Sequence, residues 1–178
     1  MIRQIIDHVG DDHRREGVIE TPKRVVASWN ELYSGYAQDP ADVLKTFDAD
    51  NYDQIVLLKD CELYSMCEHH MLPFFGKAHI AYIPGDKNRV VGISKLARLL
   101  DVYARRMQIQ ERICQQVTRA LMLHLQPKGA ACIIEAKHMC MCMRGVNKQN
   151  TIMVTSSLEG AFFGSSAARA ELMQLIKG

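Results

Sequence analysis

Hydrophobic positions recur at helical spacing soon after residue 20 of the chain. Thr21 is expected to cap this helix, Pro22 fits its first helical position, and Gly35 is a typical stop signal. A shorter helical piece is expected at residues 42–46. The pattern therefore predicts an N-terminal helical region over residues 1–50.

Two further helical stripes occupy the middle of the chain. The first consists of Leu96, Leu99, Leu100 and Tyr103, and the second of Ile109, Ile113, Val117 and Leu121. The phase of the pattern slips between residues 107 and 109, which indicates two helices that meet there. Residues 167–176 repeat the spacing and predict a closing helix.

Five other segments are rich in β-branched and aromatic residues and are punctuated by glycine and proline, which is typical of strands. They are residues 54–60, 76–85, 89–94, 130–143 and 151–157. This order favours an α+β fold, with an antiparallel sheet whose helices pack on one face, as one compact unit over residues 51–178. The edges of so short a sheet need covering, and pairing them around a ring of subunits is one solution.

The composition is that of an ordinary globular protein. The 178 residues are 48% hydrophobic and 24% charged, which is enough to bury one core. A formal net charge of +2 is too small to indicate nucleic-acid binding, although a local basic cluster could bind a phosphate. The start of the chain lacks a secretory signal and no segment has the length of a membrane span, so we expect a cytoplasmic protein without a membrane partner.

The number of cysteines limits the kinds of site that the protein is expected to contain. Six cysteines in a chain without an export signal indicate reduced thiols, used for metal binding or catalysis rather than for disulfides. Cys114 and Cys132 lie within apolar periodic segments, so we expect them in the core.

The sequence "CEHH" at residues 67–70 places a thiol, a carboxylate and two imidazoles side by side. Cys67 and His70 have the C-x-x-H spacing, with which one turn at a strand end can bring both side chains to a single zinc ion. Taken alone, this spacing is as consistent with accident, such as a chance pairing or a buried, hydrogen-bonded histidine, as it is with a pair of metal ligands.

A second polar cluster lies in "KHMCMCMRG", residues 137–145. If this segment is a strand, Met139, Met141 and Met143 face the core and the alternate positions face the other way. Those alternate positions are His138, Cys140, Cys142 and Arg144. An imidazole, two thiols and a guanidinium together favour a metal site shared with the first cluster.

The residues alone leave the ligand set open. The candidates are Cys67, His69, His70, His138, Cys140 and Cys142. Three protein ligands would leave a position for water, as in catalytic zinc sites, whereas Cys142 as a fourth ligand would make a structural zinc site in an oligomerisation module. A zinc deaminase and a zincin are disfavoured, because neither H-x-E with P-C-x-x-C nor H-E-x-x-H is present.

Four longer segments resemble GTP cyclohydrolase I: "TPKRV", "SMCEHHMLPFFGKAHIAYIP", "GISKLARLLDVYARRMQIQERI" and "HMCMCMRGVNKQN". The resemblance runs from about Thr21 to Ser157 and so covers most of the chain. It implies a tunnelling-type catalytic fold assembled into a homo-oligomeric ring of ten subunits, with active sites at the interfaces. It also implies conversion of GTP and water to 7,8-dihydroneopterin triphosphate and formate, the entry to folate and other pterin biosynthesis.

The resemblance implies a role for each member of the two polar clusters. The zinc ligands of the family fall on Cys67, His70 and Cys140, and its catalytic imidazoles outside the zinc shell fall on His69 and His138. Zinc would activate water for attack at C8 of the guanine, while a neighbouring imidazolium would protonate the ring nitrogen.

Triphosphate contacts are implied at a predicted helix start. Ser94, Lys95 and Arg98 lie in "GISKLAR", and a helix N-terminus with two cations can bind phosphate, although charged helix starts are also common on ordinary surfaces. The resemblance assigns these three residues to the triphosphate together with Arg144, whose planar guanidinium suits bidentate contacts.

Gln110 and Glu111 match the guanine-reading pair of the family. A carboxylate at Glu111 can accept both the N1 and the exocyclic amine hydrogens of guanine, which adenine does not offer. Lys23 resembles a basic position that reaches the phosphate site of a neighbouring subunit. Two departures stand out: Cys142 replaces an apolar or small residue, and the tail from residue 158 is less charged than usual in the family.

Overall fold

The computed structural model describes residues 1–178. The helices are α1 (Ile2–His8), α2 (Thr21–Leu32), α3 (Pro40–Val43), α4 (Ile93–Ala104), α5 (Gln110–His124), α6 (Met139–Cys142), α7 (Ala161–Gly164) and α8 (Ser166–Lys177). The strands are β1 (Thr46–Asp48), β2 (Val56–Cys67), β3 (Pro73–Ile83), β4 (Arg89–Val91), β5 (Met107–Gln108), β6 (Gly129–His138) and β7 (Met153–Gly160). None of the helices is both long enough and apolar enough to cross a bilayer.

Five of the strands form one sheet in the order β5-β2-β3-β6-β7. The four long strands are antiparallel neighbours, whereas the two-residue β5 pairs with β2 in parallel. β1 and β4 form a separate antiparallel pair. The predicted α+β class is therefore confirmed, with a sheet that is mixed rather than purely antiparallel.

The main core lies between this sheet and helices α4 and α5. Both predicted stripes contribute to it, through the buried side chains of Leu96, Leu99, Leu100, Tyr103, Ile113, Val117 and Leu121. Cys114 and Cys132 are buried in the same cluster, as expected. The slip between the two stripes corresponds to β5, where Met107 pairs with Met66.

A second, smaller core lies on the opposite face of the sheet. It consists of Ala81, Ala131, Ile133, Phe162 and Leu172. Phe162 belongs to α7 and Leu172 to α8, so the prediction that helices pack on one face holds for α4 and α5 and is wrong for the C-terminal helices. The physical reason is that β6 is apolar on both faces, with Ala131 and Ile133 alternating with residues of the main core.

The N-terminal helices begin and end at different residues from those predicted. Thr21 is the first residue of α2 rather than its cap, and the helix ends at Leu32, before Gly35. Gly35 lies in a 3-10 helix, Ser34–Ala37, and packs so closely on α4 that a side chain would overlap the carbonyl oxygen of Val102. The expected piece at 42–46 lies earlier, in α3, and the boundary proposed at residue 50 stays a prediction.

The predicted strand at 130–143 is correct only as far as His138. Phe74 of β3 pairs with His138, so the next partner in register would be Pro73, which has no N–H to donate. The unpaired chain instead turns into the short helix α6. The predicted strand at 89–94 is also too long, because β4 ends at Val91 and Gly92 caps α4.

A single methyl group at Gly76 is expected to disrupt the pairing of β3 with β6. A Cβ at this position would overlap the carbonyl oxygen of Glu135 and come within 2.7 Å of the Cα of Ala136. Gly76→Ala should therefore lower the free energy of unfolding by about 2–3 kcal/mol, measured by urea denaturation. Gly164→Ala, where nothing lies within 4 Å, is the matched control, and equal stability of the two variants would contradict this packing argument.

Candidate metal centre

The turn between β2 and β3 brings the two ends of the C-x-x-H spacing together. The backbone N–H of Cys67 donates to the carbonyl of Leu72, and the carbonyl of Cys67 accepts from the N–H of Met71, both at 2.9 Å. Met71 adopts a left-handed conformation with φ of 53°, which closes the turn. His70 is thereby directed back toward Cys67.

Cys140 completes a group of three potential ligands. The ligand atoms of Cys67, His70 and Cys140 all lie within 4.8 Å of one another. Cys67 ends β2, His70 lies in the turn, and Cys140 is in the first turn of α6. Two thiols and one imidazole are a donor set that suits zinc, and their spacing allows one tetrahedral ion with a vertex left over.

The thiols of this group favour a cation on electrostatic grounds. Burial, with a further contribution from the neighbouring Cys67, raises the pKa of the Cys140 thiol. Two adjacent thiolates are therefore unfavourable in the protein alone, and a bound positive ion would reverse that balance.

His69 and Arg144 lie beside the three-ligand group. The Nδ1 atom of His69 is 3.8 Å from the Sγ atom of Cys67, and its ring meets the ring of His70 edge to face at 6.2 Å. A guanidinium nitrogen of Arg144 lies 3.4 Å from Nε2 of His70. The structure thus places both of these predicted site residues next to the three-ligand group.

His138 is held at the end of β6 by two neighbours. Its ring stacks on Phe74 with a centroid distance of 4.6 Å and an interplanar angle of 2°. Its Nε2 atom lies 2.8 Å from Oε1 of Gln110. Burial lowers the pKa of the His138 imidazole, and the nearby Glu111 carboxylate opposes that shift. The ring borders a cleft of about 190 Å³ lined also by Met141.

Gln110 and Glu111 face in different directions, although they are adjacent in the chain. Glu111 is exposed, whereas Gln110 has no exposed surface. The side-chain amide of Gln110 is engaged by His138, by two backbone carbonyls and by Thr155. In this conformation the Gln110 amide is fully engaged within the protein. The contact of Gln110 with substrate that the resemblance implies stays a prediction.

A bidentate ion pair joins Glu68 and Arg112, and no sequence pattern predicted it. Both terminal nitrogens of the Arg112 guanidinium bond to the Glu68 carboxylate, one of them at 3.1 Å. The Arg112 side chain lowers the pKa of Glu68. The pair ties the ligand-bearing turn to the start of α5, and no local pattern could reveal it because the two residues are 44 positions apart.

Cys142 is not a neighbour of Cys140 on a common strand face. Both residues lie in α6, where positions two apart point in nearly opposite directions. Cys142 is buried, and its thiol lies 3.5 Å from the carbonyl oxygen of Lys148, in the loop that follows α6. It does not join the three-ligand group, so it does not supply the fourth ligand of a structural zinc site. The predicted core orientation of the methionines is also wrong, because Met141 and Met143 are exposed and Met139 is only half-buried.

Ser94, Lys95 and Arg98 lie far from the three-ligand group within one chain. The backbone N–H of Val91, just before α4, donates to the hydroxyl of Tyr82 at 3.1 Å. Tyr82 is eight positions along β3 from Phe74, which corresponds to about 26 Å of strand. It is the other end of α4 that approaches Cys67, since the carbonyl of Ala104 accepts from the Ser65 hydroxyl. Within a single chain, Ser94, Lys95 and Arg98 are therefore far from Arg144.

This combination of an α+β domain, a Cys–His–Cys group and flanking histidines is typical of a metal-dependent enzyme. Residues 1–177 match the sequence profile of GTP cyclohydrolase I. Proteins named GTP cyclohydrolase 1 are similar to the chain: that of Wolinella succinogenes is 58% identical over 99% of this chain and 94% of its own length. The protein of Thermobifida fusca is 50% identical over 99% of this chain and 86% of its own length. That of Mycobacterium bovis is 46% identical over 98% of this chain and 87% of its own length. The chain therefore belongs to the GTP cyclohydrolase I family and is a hydrolase.

Among solved structures, the apo form of the archaeosine synthase QueF-Like is similar over 60% of this chain and 94% of that chain. The TM-score is 0.47 at 15% sequence identity. A likeness of this size adds nothing about activity.

The ligand assignment predicts a clear difference between two neighbouring cysteines. Cys140→Ser should lose the bound metal, because serine is a poor ligand for zinc at neutral pH, whereas Cys142→Ser should retain it. The measurement is metal content by mass spectrometry after loading with zinc and gel filtration. Loss of metal from Cys142→Ser alone would contradict the assignment.

Proposed function

We propose that the protein catalyses the zinc-dependent, hydrolytic ring opening and rearrangement of GTP to 7,8-dihydroneopterin triphosphate and formate, a first step of folate and pterin biosynthesis in the cytoplasm. The observation that carries the proposal is the convergence of Cys67, His70 and Cys140. His138 stacks on Phe74, which lies in the same core cluster as Cys67, and Cys140 packs against that cluster. The relatives named GTP cyclohydrolase 1 support the same substrate.

Cys67, His70 and Cys140 would hold the zinc ion. When bound, zinc supplies Lewis acidity, which makes water a nucleophile at neutral pH. As hydroxide adds to C8 of the guanine, the electron pair of the C8=N7 bond moves to N7, and His138 donates the proton that N7 takes up. His69, close to the Cys67 thiol but outside the ligand group, is suited to proton exchange during the later release of formate.

Glu111 would select guanine. Its carboxylate is exposed in the first turn of α5, near enough to His138 to affect its charge. One carboxylate oxygen can accept from N1–H and the other from the exocyclic amine, and adenine lacks this pair of donors. The base would then lie with its five-membered ring toward His138 and the metal.

The triphosphate site would be completed by a neighbouring subunit. Arg144 lies beside His70, but Ser94, Lys95 and Arg98 lie at the opposite end of the sheet. A second copy of the chain can bring its own α4 start to the metal end of the first, so the site would form at an interface.

Exposed surfaces of the chain support assembly into a ring, for which we propose ten subunits. Strand β7 is an outer strand of the sheet and has one unpaired edge. Helices α1 and α2, in the proposed 1–50 appendage of the 51–178 catalytic unit, bury no side chain, and Ile5 and Val26 are more than half exposed. Such surfaces are typically covered by a second copy.

Turnover of GTP by the zinc-loaded protein tests the proposed function and the role of Glu111. Glu111→Gln should lose about 10- to 100-fold in kcat/KM, because an amide N–H would face a guanine donor in place of an acceptor. Formate and the fluorescent oxidised pterin are measured together with zinc content. Glu171→Gln on α8 is the control, and full activity of Glu111→Gln would exclude it as the base-reading residue.

Complementation between two inactive variants tests the shared site. Arg98→Ala and Cys140→Ser damage opposite ends of the sheet and so two different halves of the proposed shared site. Mixed assemblies therefore contain interfaces at which an intact Arg98 meets an intact Cys140. Coexpression should therefore recover part of the activity. Arg98→Ala combined with Lys95→Ala damages the same half and should recover none. Absence of recovery in mixed assemblies, verified by native mass spectrometry, would place each site within one chain.

A further inference from the structure

The side-chain amide of Gln110 has only one possible orientation. Its nitrogen lies 2.9 Å from the carbonyl oxygen of Ile134, 3.0 Å from that of Met153 and 2.9 Å from the hydroxyl of Thr155. Backbone carbonyl oxygens only accept, so the amide NH₂ group must face them. The reversed amide would bury its own oxygen against two carbonyl oxygens that cannot donate, which is costly in a site without solvent. Oε1 therefore faces His138.

The orientation of the amide fixes the hydrogen on His138. Oε1 of Gln110 can only accept, and it lies 2.8 Å from Nε2 of His138. That contact is a hydrogen bond only if Nε2 carries a hydrogen, which Nε2 then donates to Oε1. In the neutral ring Nδ1 is then the nitrogen without a hydrogen, and it is the one left to interact with a ligand.

The His138 ring is also held against rotation. It stacks on Phe74, its register partner on β3, with the two rings only 2° from parallel. A half-turn about the bond from Cβ to the ring would exchange Nε2 for a carbon and leave Oε1 of Gln110 without a donor. The hydrogen bond and the stack together select one tautomer in one orientation.

We propose that Gln110 is a positioning residue: it holds His138 with the hydrogen on Nε2 and so presents Nδ1 to the purine. The inference rests on the proposed function for the identity of the substrate. In this proposal Gln110 does not contact the base, and Glu111 is the only one of the two residues that does. In the imidazolium form the ring carries a second hydrogen, on Nδ1, and that is the proton that N7 of the guanine takes up, while the hydrogen on Nε2 stays with Gln110. Loss of the Nδ1 proton returns the ring to the neutral form that Gln110 selects.

The tautomer can be measured without substrate or turnover. Protein labelled with ¹⁵N in its histidine rings is studied by solid-state NMR, and His138→Asn identifies the signals of His138. We expect a one-bond coupling to hydrogen at Nε2 and none at Nδ1 in the neutral ring. A hydrogen at Nδ1 instead would overturn the inference. Because GTP is absent from this experiment, its outcome is independent of the proposed function.

A double-mutant cycle tests whether Gln110 acts through His138. Gln110→Met keeps the approximate volume and removes the acceptor, and Gln115→Met on the exposed side of α5 is the matched control. Gln110→Met should lower kcat about 10- to 100-fold with zinc content unchanged. In the His138→Asn background it should cause no further loss.

The same cycle separates positioning from simple support of the fold. Equal losses in both backgrounds would mean that Gln110 only stabilises the packing of α5 on β6, and the inference would fail. If Gln110→Met does not fold, the NMR measurement on the unmodified protein decides the question by itself. If the parent protein does not turn over GTP, the proposed function fails while the tautomer remains testable.

Discussion

The pairing register of β3 with β6 is the constraint on which the site depends. It sets Phe74 opposite His138 at one end of the sheet and so determines where β6 must stop. Cys67 at the end of β2 and His70 in the turn before β3 lie on one side of this pairing, and the chain after β6 carries Cys140. A slip of one residue would send every side chain of one strand to the other face and separate the two halves of the metal centre.

The first turn of α5 connects the parts that the sheet brings near one another. Gln110 reaches inward to His138, Glu111 stays exposed and acts electrostatically on the same histidine, and Arg112 binds the turn through Glu68. Three consecutive residues of a helix point about 100° apart, so one rigid turn can serve three directions. This arrangement explains why the apolar stripe of α5 must be firmly packed: any rotation of the helix would move all three contacts together.

Much of the main core could be predicted because its signals are local. The stripes of α4 and α5 follow from spacing alone, and the C-x-x-H spacing indicated that Cys67 and His70 meet at a strand end. The end of β6 could not be predicted, because it depends on Pro73 in a different strand. The same holds for the burial of Cys142, which depends on the loop folding back to Lys148, and for the ion pair between Glu68 and Arg112.

Gln110 and Glu111 illustrate how little a residue type says without its surroundings. The two side chains have almost the same shape and are often exchanged for each other in proteins. Here the inner position requires a neutral group with hydrogens to give to two carbonyls, and the outer position is a carboxylate open to solvent. Reversing the order of the two residues would leave composition, net charge and helix propensity unchanged. It would nevertheless set a carboxylate against two carbonyl oxygens inside the protein, so the order Gln–Glu carries information that no overall property of the chain contains.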